Sequence, residues 1–439
     1  MSSFCESFAL WASGVIVPET ARDEARLALL DTFGCMIAGW DEPQARAARG
    51  AFASEDTATA TALILGTAAH ALDFDDYEVP GSTHPSAPIL AALLALTRAG
   101  GRPLGDLLDA YVVGFEAIVR LGEWLRYDHY NAGWHATGTL GAVGAAAASA
   151  RLLGLPAPTF AHALAISASL AGGLKAQFGT DAKALHAGLA ARAGIEAARL
   201  AGAGATGAAG AFEGRFGFAA MHHGASADPG EVLARIGRPL GIAEHAILRK
   251  PWPSCAYTHR VIDAGLALRP RLPDPADWVR IVIRMPEPFF RVSGFLRPTT
   301  ANEARFSATY CALAALIDGA VGPQSFRPEA FLRPAIAALL ERTGVDAYDP
   351  GPALDDMSPD HPDRVTVYLA GGGTLSETVG NVAGGPARPM SPADIRAKFA
   401  SCGGDDATAT RLLDPGPDAR IGLGPVREGL ALAPLTQKS

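Results

Sequence analysis

Seventeen residues, His70 to Ser86, carry the densest chemistry in the chain: H-A-L-D-F-D-D-Y-E-V-P-G-S-T-H-P-S. They hold three aspartates, Asp73, Asp75 and Asp76, and two histidines, His70 and His84. The stretch before them, 57–69, is rich in Ala, Leu and Ile, and the stretch after them opens at Pro85 and turns apolar again. The acidic and imidazole groups therefore fall at a helix end between two buried helices. Such groups are costly to desolvate unless paired. A site that moves protons at carbon needs them, with pKa values tuned by burial and neighbours.

Three further segments repeat the theme. In H-Y-N-A-G-W-H-A-T-G-T (129–139), His135 stands where a long Ala-rich helix begins, and free N–H groups there favour an anion. In Q-F-G-T-D-A-K-A-L-H (177–186), Lys183 and His186 are three residues apart and share a helix face. K-P-W-P-S-C-A-Y-T-H-R (250–260) gathers Lys250, Cys255, Tyr257 and His259. Each has a plainer reading. A buried histidine is more often a satisfied core residue than a catalyst, and Lys183 could snorkel to solvent. Asp75 and Asp76 could cap helices or pair with arginine, and Cys255 could be an apolar structural thiol. Recurrence of imidazoles and an ammonium beside small residues in four separate segments shifts the balance towards a site.

The chemistry these residues suit is proton transfer beside a carboxylate. His84 and His135 fit proton transfer near neutral pH. A desolvated Lys183 can bind a carboxylate or donate a proton. Asp73 is expected to orient a histidine or Lys183, and an Asp–His pair is expected to raise the imidazole pKa. Two other classes compete. Asp75-Asp76-Tyr77-Glu78 fits the acidic magnesium motif of a terpenoid synthase, but the second motif such an enzyme needs, N/D-x-x-S-x-x-x-E, is not found. A non-catalytic binding or scaffold role is the other. Gly202-Ala203-Gly204-Ala205-Thr206-Gly207 fits a dinucleotide fingerprint literally, but it follows a helix rather than a strand. It reads as a glycine-rich helix stop.

The elements that must position these groups change character near residue 245. Before it, helical spacing runs over 18–38, 57–72, 86–99, 104–123, 136–154, 158–173, 183–203 and 228–237. After it, 279–284 alternates like a strand, and 364–369 with 374–379 around Gly371-Gly372-Gly373 reads as a hairpin. Helices are expected over 302–319 and 328–343, and Ser391-Pro392 caps another through Ala400. The expected fold is mainly α. It has a large all-helical domain (1–245, with a C-terminal return 396–439) and a smaller α+β lid domain (246–395). A chain of 439 residues is long enough for two such domains.

Composition narrows the class. Hydrophobic residues make up 49% and charged residues 19%, too apolar for disorder. A net charge of −8 with no Lys/Arg-rich run argues against nucleic acid. Five cysteines without C-x-x-C spacing lack the signature of a disulfide framework, a zinc site or an iron–sulfur cluster. No run has the length and purity of a membrane span, and no signal peptide is evident, so a cytoplasmic protein is expected.

At this level of detail the chain resembles the MmgE/PrpD family. The resemblance rests on L-D-T-F-G-C-M-I-A-G (30–39), H-A-L-D-F-D-D with T-H-P-S, G-W-H-A-T-G-T-L-G, K-A-L-H-A-G-L-A-A-R-A-G, F-E-G-R-F-G (212–217), K-P-W-P-S-C-A-Y-T-H and E-A-R-F-S (303–307). It runs in order over about residues 20–405. It implies a homodimer whose helical and lid domains enclose a cleft, with no metal and no cofactor. It further implies proton abstraction next to a carboxylate of a small di- or tricarboxylic acid. Asp73, His84, His135 and Lys183 fall on the family's catalytic positions, and His186, Lys250, Tyr257 and His259 are expected to bind substrate. The reaction expected first is a 2-methylcitrate dehydratase-like hydro-lyase. The alternatives are an iminodisuccinate epimerase-like isomerase and a cis-aconitate decarboxylase-like carboxy-lyase. Three positions depart from the pattern: Ala184 replaces a proline common in relatives, Phe295 a tyrosine of some, and Tyr77 a threonine frequent in the decarboxylase and dehydratase branches.

Overall fold

A computed structural model describes residues 3–98, 101–222, 228–351, 357–416 and 419–422. Its first half is a stack of helices: α1 (Phe4–Gly14), α2 (Glu19–Gly39), α3 (Pro43–Ala51), α4 (Ala58–His70), α5 (Ser86–Leu96), α6 (Leu104–Asn131), α7 (Ala136–Leu152), α8 (Ala157–Ala168) and α9 (Asp181–Gly202). Side-chain oxygens of Ser3, Thr57 and Thr180 accept from first-turn N–H groups of α1, α4 and α9. Helices α1 and α3 lie outside the expected set. Helix α6 runs well past residue 123 and is broken at Arg126 (φ 55°, ψ −170°). The 202–207 glycine run is the stop of α9, with turn and coil after it.

Small residues decide how these helices meet. Helix α9 packs against both α4 and α7. At the α4–α9 crossing a Cβ added to Gly188 would lie 2.2 Å from the Leu63 carbonyl oxygen, and one added to Gly66 would lie 2.8 Å from Gly188 Cα. Only glycine permits that approach. The two helices run antiparallel through this point. His70, four residues beyond Gly66, therefore comes level with Lys183, five residues before Gly188.

Beyond residue 245 the chain forms α10 (His259–Leu268), β1 (Trp278–Pro286), α11 (Ala308–Asp318), β2 (Thr343–Tyr348), β3 (Asp363–Leu369) and β4 (Thr374–Val379). The strand order is β2-β1-β3-β4; β1 pairs parallel with β2 and antiparallel with β3, and β3–β4 is the expected hairpin. Ile281 lies opposite Val367 and Ile283 opposite Val365, and all four are buried while Arg280 and Arg284 are exposed. That alternation is the two-residue period of a half-covered sheet; α10 covers β3 and β4, and α11 packs on α10. Two expected helices differ. The first, over 302–319, is split at Phe306-Ser307 into Ala301–Arg305 and α11. The second, over 328–343, is two short pieces, Pro328–Phe331 and Pro334–Leu340, each opened by a proline, before β2.

The chain then returns. Helices α12 (Pro392–Ser401) and α13 (Asp406–Leu413) pack on α2, and Arg420–Ile421 pairs antiparallel with Arg102–Pro103. Ser391 caps α12 in a capping box with Asp394. The remainder of the expected return, 423–439, lies outside the described residues. Among the described residues no helix is long and apolar enough to cross a membrane. All five cysteines are buried and free.

Lys398 on α12 fastens the return to the helical stack. Its Nζ lies 2.7 Å from Asp31 Oδ1 on α2 and donates to the Phe74 carbonyl at 2.7 Å. Both side chains are buried, and the ammonium lies 4.0 Å from the centre of the Phe74 ring. Removing one partner of a buried pair strands the other charge, at a cost of about 3–5 kcal/mol. Lys398→Met is therefore expected to lower the urea-unfolding free energy by that amount, and Asp31→Asn in the same chain to recover part of it. Independent, additive losses in the double-mutant cycle would refute the pairing.

Candidate active site

The loop after α4 is built around an uncommon backbone conformation. Asp73 sits at φ 51°, a left-handed conformation that Asp tolerates better than most residues. This turns its carboxylate back towards α9. Lys183 Nζ donates to Asp73 Oδ1 at 2.7 Å and meets His70 Nε2 at 2.8 Å. Lys250 Nζ donates to the Asp73 carbonyl at 2.9 Å and lies 3.1 Å from Asp73 Oδ1. His70 Nδ1 in turn bonds the Asp75 carboxylate at 2.8 and 3.0 Å. With the Lys183 ammonium donating to Nε2, Nδ1 carries the His70 proton to Asp75. His84 lies beside both carboxylates, with Nε2 3.5 Å from Asp73 and Nδ1 3.5 Å from Asp75.

Asp73, His84, His135 and Lys183 line one cavity, and Tyr257 lines it from the second half of the chain. Tyr77, Ser82, Tyr130, Phe178, Cys255 and Phe306 complete most of the wall. The cavity measures about 20 Å³, room for little more than one water. Three residues expected to touch substrate stand one layer back. Lys250, fully buried, lies behind Asp73. His186 bonds His135, Nδ1 to Nδ1, at 2.9 Å. His259 bonds the Ser254 carbonyl through Nε2 at 3.1 Å and packs against Trp252. Phe295 is not among the lining residues; its ring covers Gly179, next to Phe178. His70 joins the site beyond the expected set, and its signal in the sequence is the i, i+5 spacing of His70 and Asp75 across a helix end.

Burial sets the protonation pattern. It would raise the Asp73 carboxyl, but Lys183, Lys250 and His84 overcome it and hold the group well below the usual carboxylate range. Asp75 is likewise held low, because His70 and His84 outweigh the burial penalty. The imidazoles go the other way from the expectation that a neighbouring aspartate raises them. Burial, then Lys250, pushes His84 down to about 3. Burial, then Lys183 and His70, pushes His135 well below its ordinary value. At His84 the Asp75 attraction is outweighed by desolvation first and by the Lys250 ammonium second. The site therefore rests with ionised aspartates and neutral imidazoles. Burial pushes the Cys255 thiol up to about 12, which removes it as a thiolate nucleophile.

His70, Asp73, Asp75 and His84 lie close enough together to share one ion. Three of the four are already engaged: Asp73 and His70 receive ammonium groups, and Asp75 receives the His70 Nδ1 proton, while His84 Nδ1 has no hydrogen-bond partner. Two aspartates and two lysines balance without an added cation, so this donor set does not fit a resident metal.

Comparison with known proteins adds a second line. The MmgE/PrpD N-terminal domain model matches residues 6–229, and the MmgE/PrpD C-terminal domain model matches residues 252–411. The chain belongs to the MmgE/PrpD family. It is 32% identical to the cis-aconitate decarboxylase of Mus musculus over 357 residues, covering 78% of this chain and 71% of that protein. It is 33% identical to the cis-aconitate decarboxylase of Homo sapiens over 355 residues, covering 78% and 72%. A cis-aconitate decarboxylase-like protein of Aspergillus oryzae is 28% identical over 366 residues, covering 74% and 75%. As a member of the MmgE/PrpD family the chain is an enzyme of the lyase or isomerase kind.

The neutral imidazoles give a pH signature. His84 and His259, both at about 3 in the folded chain, bind protons near 6.5 once unfolded. Between those values the unfolded chain holds more protons, so stability falls as pH drops below about 6.5. Each contributes a slope of about 1.4 kcal/mol per pH unit. The depressed aspartates contribute stability that is lost only at lower pH, below their ordinary range. Urea midpoints measured from pH 7.5 to 5 are expected to fall steadily, and a flat profile would contradict the neutral-imidazole assignment.

Proposed function

We propose that this enzyme is a cofactor-independent lyase that acts on a small di- or tricarboxylate at a carbon next to a carboxylate, releasing CO2. The observation that carries this reading is the Asp73 carboxylate, clasped by Lys183 and Lys250 beside neutral histidines in a water-poor cavity. Lys183 is the ammonium at the cavity wall, and it turns from Asp73 to a carboxylate of the substrate. Lys250 stays on Asp73 and holds the charge balance. An arriving polyanion raises the pKa of His84 and His135, so that a neutral imidazole becomes able to carry the proton that the carbon receives. Loss of CO2 leaves an electron pair conjugated with the remaining carboxylate, and that pair takes the proton. The names of the similar relatives support decarboxylation over the dehydration expected first.

One observation favours a second reading. Tyr77, which departs from the threonine frequent in the dehydratase branch, lines the cavity with its ring 5.6 Å from that of His84, and a phenol there suits protonation of a leaving hydroxyl in a hydro-lyase reaction. Phe295 offers no hydroxyl to either reaction. A cavity of about 20 Å³ cannot admit such an acid while closed. In this proposal residues 246–395 act as the lid that moves off the helical part. Homodimerisation and a cytoplasmic location complete the proposal.

The deciding experiment follows cis-aconitate, 2-methylcitrate, citrate and iminodisuccinate by NMR in D2O, with CO2 measured in parallel. CO2 release with one deuterium in the product is the expected outcome. Water loss without CO2 would replace this reading with the second, and no turnover of any of the acids would reject both. His84→Ala and His135→Ala are expected to lower kcat by about a hundred- to ten-thousand-fold. Lys183→Ala is expected to raise KM and lower kcat, and Lys183→Arg not to restore either, because a planar fork cannot replace a point donor in so small a space. EDTA is expected to leave the rate unchanged.

A further inference from the structure

A neutral histidine that gives up a proton at one nitrogen must regain one at the other, or it is left as an imidazolate. Each decarboxylation needs one proton at carbon, and the cavity around the reacting carbon has room for about one water. One wall residue is built to be refilled from behind. His135 is 1% exposed, and its Nε2 is buried with no hydrogen-bond partner. Its Nδ1 lies 2.9 Å from Nδ1 of His186. His186 is not a cavity residue. It lines a separate open groove of about 450 Å³, with Leu174, Gln177, Leu189 and Arg192.

The backbone around the pair is arranged for this contact. The His135 N–H donates to the Gly173 carbonyl at 3.0 Å, which fixes the start of α7 against the segment that separates cavity from groove. Gly173 has φ 146°, and a Cβ there would lie 3.4 Å from the His186 ring. A Cβ on Gly138 would lie 2.1 Å from the Gly172 carbonyl oxygen. Two glycines thus thin the wall to two imidazole rings, with centroids 5.1 Å apart.

We propose that His186 is the outer half of a two-imidazole proton relay, joining water in the groove to the cavity through His135. This rests on the decarboxylase reading for its purpose, but not for its geometry. Loaded, His186 Nδ1–H donates to His135 Nδ1, and His135 Nε2–H faces the reacting carbon. The carbon takes the Nε2 proton, His135 takes the Nδ1 proton of His186, and His186 takes one from water at Nε2. One proton enters from the groove and one C–H bond forms as the C–CO2 bond breaks, so charge and atoms balance. When the cavity opens to release product, water reprotonates His135 Nε2, the shared proton returns to His186 Nδ1, and His186 Nε2 releases its own. His186 acts through His135 and is a positioning residue, not a catalytic one.

The test compares wild type with His186→Gln, and with His186→Asn as a second variant should Gln fail to fold. Kinetically, kcat is expected to fall ten- to a hundredfold with KM changed less than twofold. Exogenous imidazole is expected to restore kcat several-fold in His186→Ala. Independently of the kcat comparison, 15N NMR is expected to show a coupling across the Nδ1–H···Nδ1 bond, and the proton inventory of kcat in H2O/D2O mixtures is expected to bow in wild type and to become linear in His186→Gln. A linear wild-type inventory overturns the relay even if decarboxylation stands. A kcat loss without imidazole rescue also overturns it, since that pattern marks a packing role. The Nδ1–H···Nδ1 coupling in a wild type that decarboxylates none of the acids supports the relay and rejects the functional reading.

Discussion

The structure turns on one buried carboxylate. Asp73 is desolvated, held in a left-handed conformation, and clasped by two ammonium groups from distant parts of the chain, Lys183 and Lys250. Burying an unpaired charge costs several kcal/mol, so each partner makes the others tolerable. Asp73 allows two lysines to stay in the interior, and the lysines keep Asp73 ionised. Their combined field, added to desolvation, keeps the surrounding imidazoles neutral. The helices serve this arrangement. The glycine contact between α4 and α9 brings Lys183 level with His70, and the segment after residue 245 delivers Lys250 to the Asp73 carbonyl.

The loop that carries Asp73 is held through its backbone as well as its side chains. The Asp73 carbonyl accepts from Lys250, and the next carbonyl, Phe74, accepts from Lys398. Asp76 bonds the N–H and the hydroxyl of Ser86, and that hydroxyl also meets Tyr111 at 2.7 Å. Glu78 accepts from the N–H groups of Gly81 and Thr83. Four points along the loop, the Asp73 and Phe74 carbonyls, Asp76 and Glu78, are thus tied by polar groups that do not reach the cavity. This explains why the acidic run is longer than the chemistry alone needs.

Much of this was legible from residue types, and the rest was not for identifiable reasons. The helices flanking 70–86 and the hairpin around Gly371-Gly372-Gly373 follow from periodicity and turn chemistry, which are local. Strand β2 escaped because 343–348 has no two-residue alternation; its burial pattern is uniform, and it is defined by parallel pairing with a strand some sixty residues earlier. At the site, Lys183 and His186 share a helix face as their spacing requires, yet they bond to different partners. A spacing of three on a helix separates two long side chains enough for Lys183 to reach His70 and His186 to reach His135. The neutral state of His84 is not legible from its two aspartate neighbours, because it is set first by complete burial and then by Lys250, and both depend on the tertiary packing.

The tie between Phe74 and Lys398 has a consequence for how the protein comes into being. The hydrogen bond joins residues separated by 324 positions. As the chain leaves the ribosome, helices α4 to α9 can pack long before Lys250, and longer still before Lys398, exists to meet the loop. Asp31, buried beside Phe74, spends that interval without its ammonium. Completion of the loop's anchoring is therefore a late event, set by the last tenth of the polypeptide, and a chain released early would carry Asp31 without its ammonium in an otherwise assembled helical stack.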